Sequence, residues 1–377
     1  MTLLCKLLTA AAVLLSFFLA PLLGAEADAA PKTLEEQIQY LEGALSESLR
    51  TRDFAMLEMA VTGFKAAKLQ PKDLELSLLR AERNAAWSSG QPMLAATAPA
   101  ALMEAWGLMA RAMLGNDDAL QTLRKNAEGL PPSPGPLPAP NKVKPAEYQA
   151  KQREIEDFQS KVKKRDHALL ALALLKEPGV QEKALAAIRN KPADAQGMGM
   201  GVFYSGFGGD TNPLLLAVLQ PGAEEGFKCL VDYCADEKGV LKDQAQVLSE
   251  LNALSGSQQR GVADDKFSIT SDIRQRLPKD AQQRLIAPYV GILKRYAPDP
   301  KQQWDMTLNY ISNFAMVLPE KALPPEGVTA LEELVKKLPG PIGQWPKQSF
   351  AAVLKKYGKE PSDAVKPPRP PEKAPDF

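Results

Sequence analysis

Histidine is nearly absent from this chain: His167 is the only one, and cysteine is confined to Cys5, Cys229 and Cys234. A Ser-His-Asp triad would have to use that one imidazole, yet no Gly-x-Ser-x-Gly elbow supplies a nucleophile. Zinc sites need clustered His and Cys ligands, and one His with two Cys five residues apart does not supply them. Neither a metal nor a cofactor is therefore expected. Phosphate-binding loops are also missing, because Gly197-Met198-Gly199-Met200-Gly201 has neither the dinucleotide-binding spacing nor the Lys-Ser/Thr of a P-loop. The formal net charge is only +1. A chain so balanced lacks the basic footprint of nucleic-acid binders, which makes nucleic acid an unexpected partner. No asparagine is followed at the second position by Ser or Thr, so there is no glycosylation sequon.

Strand signals are almost as scarce. The one short aromatic and β-branched stretch outside the helical pattern, Gly201-Val202-Phe203-Tyr204, is too glycine-flanked to found a sheet. Helical periodicity fills most of the rest. Thr33 and Glu36 form a capping box ahead of Leu34, Ile38, Leu41, Leu45 and Leu49, which share one helix face. Asp53 is placed to cap a second helix, and Pro71 to open a third. Further helices are expected near 98–114, 117–127, 179–190, 213–219, 222–235, 240–254, 268–276, 278–296, 300–318, 325–338 and 346–358. The longest helix should run between Pro145 and Pro178. Tyr148, Ile155, Val162 and Leu169 recur in it every seven residues, as in a short coiled coil or a long hairpin. Its first half is highly charged; Ala168 to Leu175 is apolar nearly all round and should be buried.

The expected fold is all-α: an irregular, α-solenoid-like array of antiparallel helical hairpins with a Pro-rich linker and tail. Leu174-Leu175-Lys176-Glu177-Pro178-Gly179-Val180 resembles the turn of a HEAT-type unit, and residues 52–71 resemble a tetratricopeptide hairpin. No period holds across three units, so membership of either family is not inferred. Prolines mark the expected boundaries, since each removes a backbone donor and restricts its predecessor. Residues 31–129 are read as N-terminal hairpins, 130–145 as a semi-rigid polyproline linker, 146–358 as a C-terminal helical domain and 359–377 as a disordered Pro-rich tail.

The N-terminus reads as a secretory signal. A lone Lys6 precedes an apolar run from Leu7 to Leu23, followed by overlapping small-x-small sites at Ala25, Ala27 and Ala29. Residues 1–27 are taken as the signal peptide, leaving an exported chain, periplasmic or secreted, with no transmembrane helix after cleavage. Cys229 and Cys234 lie five apart in a predicted helix, out of disulfide reach, with Cys234 on the apolar stripe of Phe227, Leu230 and Val231.

Within the C-terminal region the segment 197–210 is the most unusual. It mixes six glycines with Met198, Met200, Phe203, Tyr204 and Phe207, apolar side chains that ordinarily avoid solvent. These five residues are the candidate binding surface, in the manner of adaptable Met-rich surfaces. The functional expectation is a non-catalytic exported scaffold or interaction protein of the cell envelope, whose partner is another protein or an envelope component. The alternative is a helical hydrolase that uses carboxylates on envelope polysaccharide. Asp305 beside Trp304 is its least implausible acid, although an acid at a helix start is favoured by the helix dipole alone.

Overall fold

A computed structural model describes residues 33–51, 53–88, 98–139, 141–190, 212–256, 269–298, 305–338 and 344–359. Among these residues all regular structure is helical and there is no strand. No helix among them is long and apolar enough to cross a membrane. Two compact units are present, residues 1–91 and 92–377.

The first unit contains α1 (Leu34–Thr51), α2 (Phe54–Ala67) and α3 (Pro71–Ser88). The capping box at the start of α1 forms as expected. The Thr33 amide donates to Glu36 Oε2 at 3.0 Å, and the Glu36 amide to Thr33 Oγ1 at 3.1 Å. Asp53 caps α2 by accepting from the Met56 amide at 2.9 Å. Helix α1 is the centre of this unit, because both α2 and α3 pack on it. Gly63 permits the close approach of α2: a Cβ there would stand 2.3 Å from Leu41 Cδ2.

The second unit begins with α4 (Ala98–Met113) and α5 (Asp117–Asn126), the latter capped by Asn116. After the proline-rich stretch comes α6 (Pro145–Leu174), with Pro145 in its first turn where a missing N–H costs nothing. Helices α4 and α5 both pack against α6. The prolines at 130–145 therefore join neighbours within one unit, and the compact units part instead at Gln91/Pro92. A stiff segment can return a chain alongside its next helix as readily as hold two bodies apart.

From α6 the chain turns through Lys176 and Gly179, both at positive φ, into α7 (Val180–Arg189). Helix α8 (Pro213–Leu219) is buried at all seven residues, as its uninterrupted apolar sequence requires. It packs on α6, α7 and α9 (Ala223–Ala235). At the α8–α9 contact Gly226 is obligatory, since a Cβ would lie 2.4 Å from the Val218 carbonyl oxygen. Then follow α10 (Leu241–Ser255), α11 (Ile269–Arg276), α12 (Ala281–Arg284), α13 (Ile286–Arg295), α14 (Met306–Val317), α15 (Pro325–Lys336) and α16 (Gln344–Lys356).

Two of the expected helices differ most from the structure. The single helix expected at 278–296 is broken at Leu285, because Pro288 has no N–H to offer the Arg284 carbonyl. The helix expected at 300–318 starts at Met306, where Asp305 caps it through the Thr307 amide at 2.8 Å. Helix α10 packs against α14, with Asn252 Nδ2 donating to the Phe314 carbonyl at 2.8 Å. The Tyr289 ring stacks on Phe314 at 4.2 Å, and its hydroxyl donates to the Ile311 carbonyl at 3.0 Å. Lys356 closes α14 by donating to the carbonyls of Ala315, Met316 and Leu318.

Candidate functional site

The binding surface expected from sequence, Met198, Met200, Phe203, Tyr204 and Phe207, lies outside the described residues, as do Trp304 and the signal segment 1–27. What the structure does assemble is a polar cluster on α10, α13 and α14. Helix α10 is buried nearly all round, and four of its polar residues, Gln244, Gln246, Glu250 and Asn252, are buried with it.

Three of these have assignable structural work. Gln244 Nε2 donates to the carbonyls of Tyr233 and Asp236, both at 2.7 Å, and Gln244 Oε1 accepts from Arg295 Nη2 at 3.1 Å. Asn252 Oδ1 accepts from Gln282 Nε2 at 3.0 Å while its amide holds Phe314. Gln246 Nε2 donates to Glu250 Oε1 at 2.8 Å. Such bonds satisfy loop and helix-end groups that would be costly to bury unpaired.

Around Glu250 the arrangement is less readily explained by packing. The Tyr310 hydroxyl is held well above its ordinary ionisation range, first by burial and then by the carboxylates of Glu250 and Asp243. Those two acids are seven residues apart on α10, about 10 Å of helix rise, and both act on one phenol. Asn309, on α14 beside Tyr310, is buried, and its Oδ1 accepts no hydrogen bond. Asp305, the acid singled out in the sequence, has its oxygens engaged by the Thr307 amide and the Tyr296 hydroxyl. It caps α14 from the residue before the helix, whereas the expected helix 300–318 would have held it inside. Nothing in the sequence marked Asp243 or Glu250, because their influence on Tyr310 depends on how α10 and α14 pack.

Of the other reactive groups, His167 and Cys234 are embedded and Cys229 is half-buried. His167 is buried on α6 next to Arg165, whose guanidinium donates to Asp166 at 2.7 and 2.9 Å. Cys229 and Cys234 are both free thiols on α9, as their spacing required, and burial pushes the Cys234 thiol up. Among the described residues no group of three or more His, Cys, Asp or Glu side chains is placed to hold a metal ion. A shallow concavity of about 350 Å³ lies between the α6–α7 and α8–α9 turns, lined by Lys176, Glu177, Gln181, Glu182 and Gln220 among others. Its Glu177 is bound to Arg124 and its Gln181 amide to the Val218 carbonyl.

Comparison with protein-family models, with curated proteins and with solved structures finds no match to this chain.

Proposed function

We propose that the protein is an exported, non-catalytic scaffold of the cell envelope, an irregular α-solenoid-like array of helical hairpins that offers free helix faces to another protein or envelope component. The observation that carries this reading is the outward face of α3. Ser77, Leu78, Ala81 and Ala85 are buried toward α1, whereas Leu76 and Leu79, one turn apart, are 42% and 49% exposed. Apolar side chains at helical spacing are what a helix-in-groove partner reads. The embedded state of Cys234 and His167 supports the same reading, since reactive groups that serve packing are not available for chemistry.

The test is affinity capture from the native envelope with three chains: intact, Leu76→Ser with Leu79→Ser, and Phe203→Ser with Tyr204→Ser and Phe207→Ser. Loss of the same stoichiometric partner in either variant supports the scaffold reading and says which face carries it. An unchanged partner set in both would remove both faces from consideration.

A second reading, a carboxylate-dependent hydrolase acting on envelope polysaccharide, draws on Asp243 and Glu250, the two acids of α10 whose charges both raise the Tyr310 hydroxyl. Release of reducing ends from polysaccharide by the intact chain, abolished by Asp243→Asn or Glu250→Gln, would replace the scaffold reading.

A further inference from the structure

The first half of α6 has an outward face whose two opposite charges form no ion pair among the described residues. Ala146, Ala150, Arg153, Asp157 and Ser160 fall on one stripe of the helix, and all five are exposed. Among the described residues neither Arg153 nor Asp157 takes part in an ion pair or a side-chain hydrogen bond. The neighbouring charges at the flanks of this stripe are occupied: Glu154 by Lys151 at 2.9 Å, and Glu156 by Gln152 at 2.9 Å.

We infer that this face pairs with the same face of a second copy, the two helices running antiparallel about a two-fold axis level with Ile155. The geometry follows from helix spacing. A two-fold there places each residue opposite the one equally far on the other side of 155, so Arg153 of each copy meets Asp157 of the other, twice over. Ala150 meets Ser160, and small side chains at those positions let the helix backbones approach on either side of the ion pairs. Isologous contacts of this kind are the commonest route to a soluble oligomer. Along the stripe the charge order makes the antiparallel register self-complementary, with Glu154 and Glu156 on its flanks held by Lys151 and Gln152, while a parallel in-register pairing would set Arg153 against Arg153 and Asp157 against Asp157. The inference does not depend on what else the protein binds or on whether it is exported.

The experiment is sedimentation velocity of the full chain over a concentration series, with charge exchange. The intact chain should reach a dimer whose dissociation constant rises with salt. Arg153→Asp alone and Asp157→Arg alone should each weaken association about tenfold, because both reciprocal pairs turn from attraction to repulsion. An equimolar mixture of the two single variants should recover association, since every facing pair is again of opposite sign; the double exchange in one chain should recover it too. Arg153→Gln, which only neutralises, should give a smaller loss and guards against a reversal that perturbs the helix. A chain monomeric at all concentrations, a dimer indifferent to the single reversals, or a mixture no tighter than its components would each overturn the inference.

Discussion

Residues 145–157 and 158–174 belong to one unbroken helix, yet they are held by different physics. In the second half Phe158, Val162 and every residue from His167 to Leu174 are buried, and α4, α5, α7 and α8 all pack on this helix. In the first half no residue is fully buried; Tyr148, Lys151 and Ile155 are half-covered and the rest are exposed. Isolated helices of about a dozen residues are marginal in water. The first half therefore persists because the second half has already nucleated it, and its own side chains add i to i+3 and i to i+4 contacts such as Lys151–Glu154 and Gln152–Glu156. One half keeps the fold. The other is kept by it, which frees its surface for contact with something else.

The sharpest way to break this contrast is to put the same residue in both halves. Proline within a helix costs about 3 kcal/mol or more and kinks it. Ala171→Pro, at a site 1% exposed, should leave the second unit unable to pack. It should show as lost helical circular dichroism and rapid modification of the Cys234 thiol, which is fully buried in the folded protein. Ala150→Pro should cost only the first turn of α6 and leave Cys234 protected. Equal effects from the two substitutions would mean that the first half is structurally required.

Cavity formation gives a smaller and graded version of the same test. Leu169→Ala should lower the urea-unfolding free energy by about 2 to 5 kcal/mol, the range for buried leucines whose neighbours relax only in part. Ile155→Ala, at a half-covered site, should cost about 1 kcal/mol or less.

Alkali probes the packed region separately. Burial first, and the nearby Tyr357 second, raise the Tyr289 hydroxyl well above its ordinary value; burial and carboxylates do the same for Tyr310. Because the folded pKa is raised, the folded protein keeps these protons while the unfolded chain releases them above about pH 10. The stability they contribute is complete below that pH and is lost as pH rises beyond it. Unfolding by urea at pH 9 and pH 11 should therefore differ, and Tyr289→Phe should reduce the difference by about 1 kcal/mol. Ile155→Ala should leave the difference unchanged.

The division within α6 was partly legible in the sequence. Charge density in one half and the apolar run Ala168 to Leu175 in the other separate an exposed helix from a buried one before any coordinates are known. Local chemistry was legible too: Thr33 with Glu36 caps α1 and Asp53 caps α2, as expected, whereas Asp305, expected inside a helix, caps one instead. The Leu285 break was missed although Pro288 stands well inside the expected segment 278–296, where a proline interrupts the helix ladder. The polar cluster was out of reach for a different reason. Gln244, Glu250 and Asn252 lie on different faces of α10 and would be unremarkable in solvent, and only packing from α9, α13 and α14 on several sides of the helix buries them. Likewise the prolines at 130–145 announced stiffness but not direction.

That direction is visible in one contact, and it supplies the subtlest expected effect. The Lys151 ammonium, on the first half of α6, donates to the Pro134 carbonyl and also pairs with Glu154. A polyproline-rich backbone has no internal hydrogen bonds, so its carbonyls are free to accept from a neighbour, and this one lies against the helix that follows it. Leu130, Pro134, Gly135, Leu137 and Pro138 are half-covered there, whereas Pro131, Pro132 and Pro136 remain exposed. Lys151→Ala should cost about 1 kcal/mol or less globally, since a partly exposed hydrogen bond to a charged donor is largely replaced by water. Its local effect should be larger than its global one: exchange of the Gly135 and Leu137 amides should quicken, while amides of Ala168 to Leu174 keep their protection. If those core amides quickened equally, the proline segment would be bracing the buried half of α6 as well as the exposed one, and the two halves would not be separable.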